Sequence, residues 1–102
     1  MEASLTHEEF SQHLNTRFDV QLDEANAVQL KLAEVSPLKL YPRQEEFSIV
    51  FLGPLETFLG QGVRAFTHEQ LGDFELFIVP VRQDDQGFYY EAVFNRIREI
   101  TE

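Results

Sequence analysis

Residues 72–96, GDFELFIVPVRQDDQGFYYEAVFNR, constrain the fold more than any other stretch of this chain. Two runs rich in β-branched and aromatic residues flank the segment 83–87, which contains two Asp and ends in Gly. Asp is favoured at the start of a type I turn, and Gly accepts the positive φ that the exit of such a turn needs. The spacing therefore predicts a long antiparallel β-hairpin with a short loop.

The first arm of the predicted hairpin is apolar on both faces. One face carries Phe74, Leu76 and Ile78, and the opposite face carries Phe77, Val79 and Val81. Since successive side chains of a strand point to opposite sides, this pattern predicts a strand that is covered on both faces. Pro80 cannot donate a ladder hydrogen bond, so we expect an edge position or a bulge near the end of this strand.

The rest of the chain predicts a single domain, 1–102, of short strands with short connections. The predicted helix covers about 7–14, and the predicted strands cover about 17–22, 27–35, 46–52, 63–68, 73–82 and 88–96. Residues 36–44 contain Pro37 and Pro42 and are interpreted as a loop. The predicted fold class is mainly β, with about six antiparallel strands in a small barrel or a tight sandwich and one short N-terminal helix.

The predicted helix has recognisable ends. Thr6 and Glu9 have the spacing of a capping box, in which each side chain bonds the backbone amide of the other residue. Phe10 and Leu14 form one apolar stripe, and Asn15 is suited to a C-terminal cap. A helix this short is not stable alone, so we expect it to cover an open end or face of the sheet.

One aromatic core is predicted from the alternation of apolar and polar residues along the strands. The chain contains ten Phe and no Trp, and several of these Phe fall on the apolar faces. The residues expected to share the core are Phe47, Ile49, Phe51, Phe74, Leu76, Ile78, Tyr90 and Phe94.

The charge balance excludes several classes of partner. The formal net charge is −10, and the eight Lys and Arg residues are scattered. Nucleic acids and anionic membranes need clustered basic residues, so neither is an expected partner. The absence of Cys excludes disulfides, thiolate nucleophiles and cysteine zinc sites. The N-terminus lacks a signal-peptide pattern and the longest apolar run, 76–81, is too short to span a membrane, so a soluble cytoplasmic protein is predicted.

His68 is the first candidate for chemistry, because Glu69, Asp73, Glu75 and Glu91 lie nearby in sequence or across the hairpin. An imidazole beside carboxylates can act as a base or as a metal ligand. However, no second ligand stands at a diagnostic spacing, and no nucleophile or phosphate-binding motif appears. The favoured interpretation is structural, with the ring nitrogens bonding the 69–72 turn. No catalytic residue, metal site or cofactor is predicted.

Glu91, Asn95 and Arg96 form a second candidate polar site, on the second arm of the hairpin. Arg offers a rigid fork of donors that suits a carboxylate or a phosphate, so these residues could bind a small anionic ligand. In the alternative, which we favour, the Asn bonds turn backbone, the Arg pairs with an acidic neighbour, and the two residues close the structure.

Residues 53–62, GPLETFLGQG, are unusually apolar for a loop. Leu55, Phe58 and Leu59 stand between Gly and Pro residues, where no regular strand face exists to bury them. Either they fold inward and cover an open end of the barrel, which we favour, or they stay exposed and dock a partner.

Three segments, EEFSIVFLGP, LGQGVRAFTHEQLGDFELFIVPV and YYEAVFNR, follow one another in this order. Together they resemble an uncharacterised bacterial domain family of about this length, a domain of unknown function, over about 10–97. The most specific pieces are His68 with Leu71 and Gly72, and the closing segment 90–96. The resemblance implies no activity, and it hints at a link to phage-tail-like assemblies.

Two classes of function remain. The favoured class is a non-enzymatic interaction or assembly module with a protein partner, including an accessory of a phage-tail-like or other bacterial assembly. The alternative is a small-ligand-binding barrel or an enzyme centred on His68 and the nearby carboxylates. A deep polar pocket at His68 would favour the alternative, whereas a packed interior with an exposed apolar patch would favour the module. Self-association is compatible with either class.

Overall fold

The computed structural model describes residues 5–97, which form one helix and seven strands. The elements in chain order are α1 (His7–Gln12), β1 (Arg17–Gln21), β2 (Ala27–Val35), β3 (Lys39–Tyr41), β4 (Gln44–Gly53), β5 (Gly62–His68), β6 (Gly72–Asp84) and β7 (Gly87–Ile97). All strand pairs are antiparallel, so the mainly β prediction is confirmed. No helix in the described part of the chain is long and apolar enough to cross a membrane.

The sheet closes on itself. Its strand order is β2-β1-β5-β6-β7-β4-β3, and an additional pairing of β2 with β4 joins the two sides. Six strands therefore form the wall of a barrel, and β3 is an extra strand on β4. Of the two predicted architectures, the barrel is correct. Closure removes the free edges that an open sheet would expose along its outermost strands.

Residues 36–44, predicted as a loop, contain the short strand β3. This strand pairs with residues 44–46 at the beginning of β4, and its three side chains are all exposed. A strand that is held by backbone hydrogen bonds and buries no side chain shows no apolar alternation. For this reason the sequence pattern does not reveal it.

Helix α1 begins as predicted and ends earlier. Thr6 Oγ1 accepts from the amide of Glu9 at 3.1 Å, and Glu9 Oε1 accepts from the amide of Thr6 at 2.9 Å, which completes the capping box. Phe10 is buried, but the predicted stripe stops there, since Leu14 lies beyond the last helical residue and is exposed. Asn15 has a left-handed φ of 71°, and its amide donates to a carbonyl of β2 at 2.7 Å. These contacts lead the chain from the helix into β1.

The β6–β7 hairpin has the predicted turn and the predicted irregularity. Asp84 pairs with Gly87, and Asp84 Oδ1 accepts from the amide of Gln86 at 2.8 Å. The strand register shifts between Pro80 and Arg82, which is the bulge that Pro80 predicts. The hairpin therefore combines a side-chain-supported turn with a local bend in its first arm.

Apolar side chains from the inward positions of the strands fill the barrel. The buried cluster contains the predicted core residues except Phe74, which is partly buried and packs against it. The cluster also includes inward residues of the first, second and fifth strands, namely Phe18, Val20, Leu30, Leu32 and Phe66. Phe10 of α1 covers one end, here called the helix end, and Leu59 covers the opposite end, here called the loop end.

The outer face of β6 corrects the prediction of a strand covered on both sides. Leu76 and Ile78 are buried inside the barrel, but Phe77 and Val81 on the outer face are exposed. The sequence pattern identifies both faces as apolar but cannot tell which of them the chain itself will bury. A strand face of this kind is a common feature of interaction surfaces.

Candidate functional site

His68 lies at the end of β5, with its ring buried at the helix end of the barrel. Its Nδ1 accepts hydrogen bonds from the amides of Gln70 at 3.0 Å and Leu71 at 3.2 Å. These two bonds hold the tight turn between β5 and β6. The structural interpretation of His68 predicts bonds of this kind to the 69–72 turn.

The second ring nitrogen of His68 is also occupied. Nε2 lies 3.0 Å from Thr16 Oγ1, and this hydroxyl donates to the carbonyl of His13 at 2.7 Å. Because the hydroxyl has a single proton, Nε2–H must be the donor to Oγ1, and the ring must be the neutral Nε2–H tautomer. A ring with both nitrogens bonded to the surrounding fold presents no lone pair to a metal ion or to a substrate proton.

Burial lowers the pKa of His68, and the charge of the neighbouring His13 lowers it further. The His13 ring lies at a centroid distance of 4.7 Å, and the Phe18 ring lies at 4.4 Å. Glu69 raises the same pKa, but its effect is smaller than the other two. The packing around His68 therefore favours the neutral ring that the hydrogen bonds require.

The carboxylates predicted near His68 do not converge on it. Glu69 and Asp73 are exposed at the turn between β5 and β6, and Glu91 faces outward from β7 between two buried residues. Among residues 5–97, no three His, Asp or Glu side chains are placed to hold a metal ion.

The second predicted polar site is divided between the two faces of β7. Arg96 faces the helix end, where its guanidinium lies 4.6 Å from the centre of the Phe94 ring and donates to a backbone carbonyl just before α1. Asn95 faces outward, and its side-chain carbonyl accepts from the Gln44 side-chain amide. Glu91 also faces outward, nearer the middle of the strand. All three residues nevertheless line one depression between β6 and β7.

The apolar residues of the loop between β4 and β5 do not share one role. One covers the end of the barrel, and the other two stay exposed. Leu59 is buried at the loop end, and its amide donates to Tyr90 Oη at 2.9 Å. Phe58 keeps 59% of its surface accessible and packs edge-on against Phe88, and Leu55 is also exposed. Leu59 is thus the cover of the barrel and is unavailable for docking. Leu55 and Phe58 remain accessible, and we call them the loop patch.

Arg64 is a polar residue near this loop that the sequence interpretation does not select. It occupies an inward position on β5, and its Nη2 donates to the carbonyl of Gly60 at 2.9 Å. This bond anchors the loop residue that follows Leu59. Within residues 5–97, the buried Nε of Arg64 has no hydrogen-bond partner. The sequence signal that could have found it is its alternation with Phe66 and His68, which assigns all three to the inner face.

An exposed apolar surface spans β5, β6 and β7 outside the barrel. Val63 and Phe77 are partners in the β5–β6 ladder, and 63% and 51% of their surfaces are accessible. Val93 on β7 is 62% exposed and lines one depression together with Phe77 and Val79. We call Val63, Phe77, Val79 and Val93 the outer patch. In the sequence, the outer patch is visible as the apolar outer face of β6, although the alternation pattern predicts that this face is buried.

A groove runs through the outer patch because β6 and β7 separate, and we call it the β6–β7 groove. In the described chain, their ladder extends over 79–84 of β6 and 87–91 of β7. The preceding residues of β6, 72–78, pair with β5, and the following residues of β7, 92–97, pair with β4. The depression between these two stretches has a volume of about 410 Å³. This volume falls within the usual range of ligand sites.

Comparison with known proteins gives one family and no activity. Residues 5–94 match the model of a family described as Domain of unknown function (DUF6916). No match was found among curated proteins or among solved structures. The matched range contains α1, the first six strands and most of β7.

Proposed function

We propose that this chain, which belongs to the family described as Domain of unknown function (DUF6916), is a non-enzymatic module that docks a protein partner. The outer patch is the observation that carries the proposal, because Val63, Phe77 and Val93 each expose more than half of their surface on adjacent strands. Single exposed apolar residues are ordinary on soluble proteins, whereas a contiguous set beside a groove is typical of a binding surface.

The state of the barrel interior supports docking over the alternative of a ligand-binding barrel or an enzyme. Aromatic and aliphatic side chains occupy the inward positions, and both nitrogens of His68 are bonded to the fold. A chemical role for His68 would need a ring nitrogen that can exchange protons or bind a ligand. More specifically, we propose that the module is an accessory of a phage-tail-like or other bacterial assembly, which the sequence resemblance supports.

Capture of partners from the native organism, compared between two variants, tests the proposal. Phe77→Ser removes the central ring of the outer patch, and Phe58→Asp changes a similarly exposed ring on the loop patch as a matched control. We expect a partner that co-purifies with the wild type and with Phe58→Asp. Its affinity for Phe77→Ser should fall at least about 10-fold, which corresponds to about 1.4 kcal/mol. Circular dichroism checks that both variants remain folded.

Two other outcomes would change the proposal, the first in its surface and the second in its function. Loss of the partner with Phe58→Asp and its retention with Phe77→Ser would move the docking surface to the loop patch. Capture of a small molecule whose binding disappears in His68→Ala, with no protein partner, would support the alternative function instead.

A further inference from the structure

Two strand edges face each other across the β6–β7 groove. Residues 72–78 are bonded to β5 on one side, and residues 92–97 are bonded to β4 on one side. In the described chain, the ladder between β6 and β7 stops at the pair Val79 and Glu91. Because backbone groups of a strand point alternately to its two sides, each stretch also directs N–H and C=O groups into the groove. Open edges of this kind are templates for pairing with another strand.

The barrel interior explains why the two strands remain apart at this position. The Phe10 ring of α1 packs against both of them, with its centroid 6.3 Å from that of Phe74 on β6 and 5.4 Å from that of Phe94 on β7. Phe94 also stacks on Phe47 at 4.7 Å. Continuing the ladder would require these rings to repack, so the groove keeps an apolar floor. The bulge after Pro80 lies where the two strands begin to diverge.

The side chains along the groove define the chemistry of an occupant. Phe77, Val79 and Val93 form apolar walls, and the Glu91 carboxylate lies beside them. Arg96 also lines the groove, but its guanidinium lies over Phe94 and bonds a backbone carbonyl. The chain as a whole carries a net charge of −10. The Glu91 carboxylate and the overall charge therefore favour a basic ligand.

We propose that the β6–β7 groove binds an extended segment of a partner protein by β-strand addition, and that this segment carries alternating apolar residues and a Lys or Arg beside Glu91. In strand addition, main-chain hydrogen bonds provide affinity and pockets for alternate side chains provide specificity. The inference rests on the proposed docking function and states the form of its partner. A second copy of this chain is a poorer occupant, because two chains with a net charge of −10 repel each other.

Selection from a displayed library of random heptapeptides on the immobilised domain tests the inference. We expect enriched peptides to alternate apolar and polar residues and to contain at least one Lys or Arg. Methylation of alternate backbone nitrogens in a selected peptide removes hydrogen-bond donors while its side chains stay unchanged. This modification should weaken binding at least about 10-fold when the methylated nitrogens are those that face the paired strand of the domain. Amides in 72–78 and 92–97 should become protected from hydrogen exchange when the peptide binds.

Three variants locate the contact and test the charge. Val93→Lys puts a charge on the groove wall and should reduce peptide affinity at least about 10-fold, whereas Phe58→Asp on the loop patch should leave it unchanged. Glu91→Gln should weaken a selected peptide that contains Lys and should not weaken the same peptide with Gln in place of Lys. This comparison isolates the pairing of the basic residue with Glu91.

Failure of strand addition is distinguishable from failure of the docking function. The inference would be overturned if the selection enriches no peptide, or if backbone methylation does not weaken binding. It would also be overturned if protection from hydrogen exchange is confined to the loop patch. Enrichment of acidic peptides would overturn its charge requirement. If any of these results occurs while Phe77→Ser still loses its cellular partner, the docking function stands and the partner binds in another form. If Phe77→Ser also keeps every partner, the docking surface itself is wrong.

Discussion

The ring of His68 satisfies donors and acceptors from two separate segments of the chain. Two amides of the following turn donate to Nδ1, and Nε2–H donates to a hydroxyl that in turn bonds a carbonyl after α1. The residue types around His68 in the sequence would equally suit a base or a metal ligand. At the scale of single residues, the hydrogen bonds separate these roles, because the lone pair of Nδ1 and the proton on Nε2 are both used within the fold and are not open to a metal ion or a substrate.

We expect the wild type to lose stability as the pH falls through the titration of His68. Burial lowers its pKa in the folded state, so the unfolded chain, with an ordinary histidine pKa of 6.5, binds the proton first. The contribution of the neutral ring is therefore complete above about pH 6.5 and is lost as the pH falls through the lower folded-state pKa.

His68→Ala should remove this part of the pH dependence. It also leaves two turn amides without their acceptor, which should lower the free energy of unfolding by about 1–3 kcal/mol near neutral pH. Urea unfolding of both proteins at about pH 7.5 and about pH 5.5 measures the two effects. Equal changes with pH in both proteins would contradict the assignment of this titration to His68.

Gly87 allows the β6–β7 turn to lie against the end of β4. A Cβ atom at this position would stand 1.9 Å from the carbonyl oxygen of Gly53, and the φ of Gly87 is 155°. Gly62 has the same φ with no atom within 4 Å of its own Cβ position, so it is a matched control. We expect Gly87→Ala to cost more than about 3 kcal/mol and Gly62→Ala about 1 kcal/mol in the free energy of unfolding. Equal losses in denaturant titrations would mean that backbone strain dominates over the contact with β4.

At the scale of elements, β6 belongs to two ladders in succession. Its first half pairs with β5, and its second half pairs with β7 after the groove. The bulge after Pro80 lies in that second half, where a residue without an N–H interrupts regular pairing. The same strand therefore builds the core with its inner face and exposes the outer patch with its other face.

Adjacent residues of β6 test this division of faces. Leu76 is buried and Phe77 is exposed, so truncation of the smaller side chain should have the larger effect on folding. We expect Leu76→Ala to lower the free energy of unfolding by about 2–5 kcal/mol. Phe77→Ala should change it by less than about 1 kcal/mol. Urea denaturation measures both, and a reversed order would contradict the inward assignment of Leu76.

The Tyr90 hydroxyl bonds the cover at the loop end. Tyr90 Oη accepts from the amide of Leu59, so Tyr90→Phe leaves that buried N–H without its partner and should cost about 1–3 kcal/mol. Tyr89→Phe is the control, because Tyr89 Oη donates to the exposed Asp84 carboxylate. Thermal unfolding compares stability, and hydrogen exchange at the Leu59 amide reports loosening of the loop. Unchanged exchange in Tyr90→Phe would show that packing alone holds Leu59.

At the scale of the whole molecule, one closed wall and two separate covers account for the fold. The β2–β4 pairing closes the wall, Phe10 covers the helix end, and Leu59 covers the loop end. The Glu34–Arg82 pair lies on the surface, with about half of each side chain exposed, where such pairs contribute little stability.

The net charge of −10 makes the stability of the folded domain depend on salt. Repulsion among like charges destabilises the compact state, and salt screens it over roughly 10 Å at about 0.1 M. We therefore expect the melting temperature to rise by a few degrees between about 0.02 M and about 0.5 M NaCl, an increase of about 1 kcal/mol. Differential scanning calorimetry measures it. A decrease would mean that attractive pairs outweigh the repulsion.

Local rules allowed the sequence alone to predict part of this protein. The capping box at Thr6 and Glu9, the turn at Asp84 and the bulge at Pro80 each depend on a few neighbouring residues. The run of β-branched and aromatic residues around Leu76 and Ile78 likewise identified the strand. In each case the physical cause lies within one turn or one strand, where backbone geometry and side-chain period decide the outcome.

Tertiary structure decided the remainder, because the relevant partners are far apart in the chain. The barrel, rather than the sandwich, follows from the pairing of β2 with β4, and β3 forms by backbone bonds that leave no pattern in its side chains. Leu59 is buried and its amide bonds the distant Tyr90 hydroxyl, whereas Phe58 beside it is exposed, and the exposure of Phe77 depends on which elements pack nearby. A sequence pattern records that a side chain is apolar, whereas only the assembled fold determines whether the chain itself covers it.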